Sequence, residues 1–259
     1  MQTLVYDGSF AGFLSAVFDV YYYKFTQVDI CQEKDFNGNI FTEPRRVHTS
    51  MYNSQRLWKG LKKKLSDDAR KQLYRTFLSE LPGIENTLLH YIQYAFASNV
   101  FIEEDYSHHA VLNITQTAKK VWREMHRMQA FVRFQKTADD LYYAIIEPDY
   151  NVLPLLTEHF ENRYADQRWM IYDGKRKYGI FYNLKTVAEV QIYFNPNSSE
   201  GKNLRSVYDE NEALYQQLWQ QYFQSINIKA RKNTKLHIQH MPVRYWKYLP
   251  EKREGSFSS

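Results

Sequence analysis

Apolar residues at Phe10, Phe13, Leu14, Val17, Phe18 and Tyr21 recur at steps of three and four, which makes one stripe of a helix. Asp7-Gly8-Ser9 turns the chain ahead of it, and the Ser9 hydroxyl suits the N-cap. Thr3–Tyr6 reads as a short strand before that turn. Residues 28–47 show no period and contain Asn37-Gly38-Asn39, so a loop or small hairpin is expected there. Helical spacing returns over Asn53–Leu65, with Leu57, Leu61 and Leu65 on one face. It continues over Asp67–Leu81, whose acids sit at the positive end of the helix dipole. Past the Pro82-Gly83 break, Ile84–Phe101 carries Leu88, Ile92, Ala95 and Phe96. A fourth helix, Asn113–Gln129, is expected to turn Val121, Trp122, Met125 and Met128 inward.

The period then changes from about four to two. Phe131–Gln135, Leu141–Glu147, Arg168–Asp173 and Tyr178–Asn183 are rich in aromatic and β-branched residues, as strands are. Asn151–Tyr164 makes a helix between strands, and Asp173-Gly174 marks a hairpin with a loop lengthened by Lys175-Arg176-Lys177. Val187–Phe194 is a further strand, and Leu204–Ile226 a long helix. Helices first and strands afterwards predict an α+β fold, a helical N-terminal half on an antiparallel sheet, with a long C-terminal helix and a basic tail. No Gly/Pro-rich linker intervenes. One domain is therefore expected over 1–226, helical to about 130 and sheet-forming over 131–226, with 227–259 as the tail.

Composition narrows the class. Twenty-two Tyr and 16 Phe stand against 9 Gly and 7 Pro in 259 residues, which favours long regular elements over a loop-rich sandwich. No apolar run reaches the roughly 18 residues of a membrane helix, and the N-terminus lacks the basic start of a signal peptide. Cys31 is the one cysteine, so no internal disulfide, Cys-rich zinc site or Cys-ligated iron–sulfur cluster is available within the chain. A cytoplasmic address is expected, with no membrane contact.

Charge changes the picture more. Pro44–Arg75 holds ten Lys/Arg against two acids, Lys119–Lys136 six against one, and Asn227–Arg253 eight against one. Together these carry +20, so a total of +5 leaves the remaining chain at −15. Segregated basic stretches point to a polyanion partner. For Lys59, Lys62, Lys63 and Lys64 alone, a solvated helix face is the simpler account.

Motifs for chemistry are sparse. Phosphate loops, the G-x-S-x-G elbow and H-E-x-x-H are all absent. Asp105 and His108 have a metal-pair spacing with Glu104 and His109 beside them, but no second pair accompanies them, and surface acids and histidines are the simpler reading. No metal and no cofactor are expected. Candidate carboxylates for acid–base work are Asp7, Glu147 and Asp149; turn and cap chemistry is the simpler account of Asp7 and Asp149. Arg123 and Arg127 share a helix face, with Arg133 beyond them, and this trio fits either phosphates or acidic neighbours. The tail interleaves Arg231, Lys232, Lys235, His240, Arg244 and Lys247 with Tyr245 and Trp246. Cations for the backbone and rings for unpaired bases make a single-strand binding pattern. Docking of Trp246 and Leu249 on the body is the competing account.

The opening VYDGSFAGFLSAVFDVYY, the central FVRFQ…YYAIIEPDYNVLPLL…HFENRYADQRWMIYD and the closing HMPVRYWKYLPE resemble an uncharacterised bacterial family of DNA metabolism or repair proteins. The resemblance covers nearly the whole chain. It implies a DNA context, a radical-SAM repair protein as partner and, in some members, fusion to a uracil-DNA-glycosylase-like domain, which this chain, ending at Ser259, is expected to lack. The family brings no established catalytic residues. The expected function is a DNA-binding accessory protein that holds unpaired or distorted DNA for a radical-SAM partner. The alternative is a DNA-acting hydrolase or glycosylase-like enzyme with Asp7 or Glu147 as base.

Overall fold

The computed structural model describes residues 1–36, 43–137, 140–191 and 241–249. The chain divides into two compact units, Met1–Trp122 and Arg123–Ser259. The class is α+β. Among the described residues, no helix is long and apolar enough to cross a membrane.

The first unit contains β1 (Gln2–Tyr6), α1 (Phe10–Tyr22), β2 (Val28–Gln32), β3 (Arg45–Arg46), α2 (Met51–Lys64), α3 (Asp67–Phe77) and α4 (Ile84–Ala97). Serines start three of the helices. Ser9 accepts from Gly12 N at 2.9 Å, Ser50 from Asn53 N at 3.3 Å and Ser66 from Ala69 N at 3.1 Å, each satisfying a first-turn donor. Residues 28–47 are not a loop or hairpin throughout. β2 and β3 flank β1 on its two sides, both parallel to it, in register Leu4↔Ile30 and Leu4↔Arg45. The signal was hidden because β2 buries only Ile30 and Gln32, and β3 is two residues long. The central strand shows the opposite pattern. Leu4, Val5 and Tyr6 are buried in succession, as in a strand covered on both faces. Phe13, Val17, Leu61, Leu73, Leu88 and Ile92 complete this core.

Cys31 lies half-buried on β2. Burial, together with the negative charges of Asp29, Glu85 and Asp35, pushes its thiol up to about 11. At pH 8 such a thiol is about 100-fold poorer in thiolate than one at the ordinary value of 9.0. The thiolate of the higher pKa is the better nucleophile and offsets part of this, so iodoacetamide labelling of the native protein at pH 8 should run about 10-fold slower than labelling in urea. Equal rates in a mass-spectrometric time course would contradict this environment.

α5 (His109–Phe131) crosses the boundary at 122/123. It starts four residues before the position expected, and it places Trp122 outward at 38% exposure while Glu124 is buried. Phe131 ends this helix rather than opening a strand, and β4 is only Gln135–Lys136.

The second unit continues with β5 (Tyr142–Ile146), α6 (Leu153–Arg163), β6 (Trp169–Asp173), β7 (Tyr178–Tyr182) and β8 (Val187–Val190). The sheet order is β4-β5-β6-β7-β8. It is mixed, not antiparallel. β5 and β6 run parallel in register Tyr142↔Trp169, and the other three pairings are antiparallel. The reason is α6, since a helix between neighbouring strands is the crossover that parallel pairing requires. Trp169 is fully buried, with ring centres 5.5 Å from Tyr182, 6.1 Å from Phe160 and 6.4 Å from Phe134. The expected long helix over Leu204–Ile226 lies outside the described residues.

Candidate nucleic-acid interface

In the second unit the tail and α5 meet at a carboxylate. The Glu124 side chain is 2% exposed. Its Oε1 accepts from the Tyr245 hydroxyl at 2.5 Å and from Asp149 N at 2.9 Å. Its Oε2 accepts from Arg244 at 3.1 Å, and Arg127 stands 3.8 Å away. Arg244 also pairs with Asp149 at 2.8 Å and lies over the Tyr245 ring at 4.6 Å. A 3₁₀ turn over Val243–Tyr248 presents these groups. Burial, and then the hydrogen bond to Glu124, drives the Tyr245 hydroxyl far above its ordinary range.

The structure thus joins Arg127, Arg244, Tyr245 and Asp149 around an acid that the sequence reading placed in no role. Tyr245, at 2% exposure, has no face open to a base. The Trp246 indole donates to Met241 O at 3.0 Å, and Arg123 is exposed on α5. Arg231, Lys232, Lys235 and His240 lie outside the described residues.

Beside this hub, Lys247 bonds Glu147 at 2.5 Å. That bond and one from Tyr248 hold the Glu147 carboxyl below its usual range. Asp149 does not cap α6; Val152 occupies that position with no side-chain bond. Arg133 donates to Ala130 O at 2.7 Å and, with Lys247, Tyr143 and Tyr248, lines a cavity of about 190 Å³. Two cations expected to bind nucleic acid are therefore brought together here, one from each end of the unit's sequence.

In the first unit Asp7 follows β1 and accepts from Ser9 N at 2.9 Å, Ser9 Oγ at 2.7 Å and Thr49 Oγ1 at 2.7 Å. Burial opposes ionisation, but those donors win and hold the carboxyl below its ordinary value. Gly12 makes room for it, because a Cβ there would lie 2.2 Å from Asp7 Oδ1. A carboxylate held low is a weak general base, and this is equally true of Glu147. Beneath lies a buried network in which Tyr6 Oη and Gln32 Nε2 donate to Glu85 at 3.0 and 3.1 Å.

This unit also holds a groove of about 650 Å³ among α1, α2 and α3. Phe10, Leu14, Trp58 and Tyr74 line it, and Lys62, Arg70 and Lys71 stand around it. Sequence reading passed over it because its rings belong to three helices. The available signal was the basic run itself, carrying Trp58 in its midst.

Elsewhere, Asp105 accepts from the Tyr94 hydroxyl at 2.6 Å, and His108 stacks on that ring at 4.1 Å. Among the described residues no cluster of three or more His, Cys, Asp or Glu could hold a metal ion.

No curated protein and no solved structure matches the chain. One family model does, over residues 82–251, about two thirds of the sequence. On that match the chain belongs to the family described as a domain of unknown function, DUF4130.

Proposed function

We propose that this protein is a DNA-binding accessory factor of DNA repair or metabolism, which holds unpaired or distorted DNA while a radical-SAM partner supplies the radical chemistry. The observation that carries the reading is the cationic face of α2 and α3. Arg56, Lys59, Lys62, Lys63 and Lys71 are all exposed. The two acids of that stretch are engaged locally, Asp67 with Arg70 and Asp68 with Gln72. The lysines are thus left to attract an outside polyanion. The tail supports the reading less directly, since Arg244 and Lys247 already face carboxylates. The radical-SAM partner, and the glycosylase-like fusion of some members, come from the sequence resemblance. The single cysteine agrees with radical chemistry residing in the partner.

Fluorescence anisotropy over a salt series, with single-stranded, duplex and mismatched DNA, tests the binding. Single strands should bind, and log affinity should fall linearly with log salt by about 0.7 for each phosphate engaged. Absence of salt-dependent binding to all three forms would remove the proposal.

A further inference from the structure

We infer that the groove among α1, α2 and α3 holds one unpaired nucleobase of a DNA strand, stacked on its aromatic wall, with the adjoining phosphates on Lys62 and Lys71. This rests on the DNA-binding reading and deepens it by assigning the place at which an unpaired base is held. The groove is formed by residues 10–74, ahead of the segment that the family model matches.

Size, rings and charge agree. About 650 Å³ falls within the range of sites for small organic ligands. Phe10 meets Trp58 at 5.6 Å and 83°, and Tyr74 at 5.0 Å and 67°. In an edge-to-face pair one ring contributes its edge and keeps its faces for another partner. Trp58 and Tyr74 are only half-buried. Phe10, which meets both and lines the groove with them, also packs on Phe77 at 5.1 Å, so a base would meet a wall already in place.

The rim then selects the ligand. The Arg70 guanidinium is tied to Asp67 and to the carbonyls of Lys62 and Leu65. Among the described residues no carboxylate pairs with Lys62 or Lys71, and both are exposed. Gln55, exposed on the α2 side, adds a hydrogen-bonding group. An aromatic wall with uncompensated cations suits a base and its backbone charge better than a purely apolar helix of another protein. Stacking also separates strand states. In a duplex both faces of each base are covered by neighbours, so a base enters only when unpaired or turned out of the stack.

The test is anisotropy of the full chain with a labelled thymidine oligonucleotide and a hairpin duplex, for wild type, Trp58→Ala, Trp58→Phe and Lys62→Gln/Lys71→Gln. Trp58→Ala should raise the single-strand Kd about 5- to 150-fold, the range of one lost stacking ring, with the salt slope and duplex Kd unchanged. Trp58→Phe should recover most of the loss. The double lysine variant should flatten the single-strand slope by about 1.4. If wild type binds single strands but Trp58→Ala binds them equally, the groove is not the site, although the DNA reading stands. Equal losses on duplex and single strand would likewise overturn base stacking. If wild type binds no DNA, both fall, and a groove for a partner helix becomes the better account. Photocrosslinking wild type to an iodouracil-substituted strand covers a Trp58→Ala variant that does not fold. An adduct on Trp58 or Tyr74 supports the site, and adducts confined to other residues overturn it.

Discussion

Alanine at position 124 should destabilise the protein by about 3 kcal/mol, near the low end for breaking a buried charge pair. Three donors within 3.1 Å lose their acceptor: the Tyr245 hydroxyl, Asp149 N and Arg244. The first matters most, because Tyr245 is buried at 2% exposure and its hydroxyl, which still accepts from Arg244, would have a buried proton with no acceptor or drag the tail out. Arg244 softens the loss, since its side chain is 43% exposed and keeps Asp149 at 2.8 Å. Urea unfolding of Glu124→Ala and Glu124→Gln measures the effect, and glutamine, which retains one acceptor oxygen, should recover part of it. A cost below about 1 kcal/mol would mean that apolar burial of Tyr245 and Leu249 alone docks the tail.

The second large effect is expected at Trp169. Truncation to alanine opens a cavity among Phe134, Phe160 and Tyr182 and should cost about 3–5 kcal/mol, as buried aromatic deletions do. The indole Nε1 is buried with no hydrogen-bond partner among the described residues. Trp169→Phe therefore strands no acceptor and removes an unsatisfied donor, so its cost should stay under about 2 kcal/mol. Thermal or urea unfolding of the pair decides the matter, and similar costs for the two variants would place a hydrogen bond on the indole.

Elements that make their own signal were legible in the sequence. α1 follows from the Phe10–Phe13–Leu14–Val17 stripe and Ser9, and β6 and β7 from their aromatic runs about Asp173-Gly174. Elements defined by their neighbours were not. β3 exists because two arginines pair with Leu4 and Val5, and nothing in Arg45-Arg46 itself announces a strand. The parallel β5–β6 pair was implicit in the α6 pattern, but strand direction is a property of the connection, not of the strands. The same distinction divides the candidate sites. Cationic stretches were visible as counts, whereas which cations face an acid depends on the fold. Glu124 was counted as the one acid of the basic stretch Lys119–Lys136, yet it meets Tyr245, 121 residues further along. The groove rings come from Phe10, Trp58 and Tyr74, a set that no window of sequence contains.

The distance from Glu124 to Tyr245 also has a meaning in time. A ribosome adding about 5–20 residues each second needs roughly 6–24 s to pass from one to the other. Throughout that interval the nascent second unit holds a carboxylate that has Arg127 and, from residue 149 onward, Asp149 N, but not yet Arg244 or Tyr245. The sheet strands are complete well before the segment that closes over α5. Final ordering of this unit therefore waits for the Val243–Tyr248 turn, and a stall before residue 245 would leave a chain with its sheet translated and Glu124 without its tail partners.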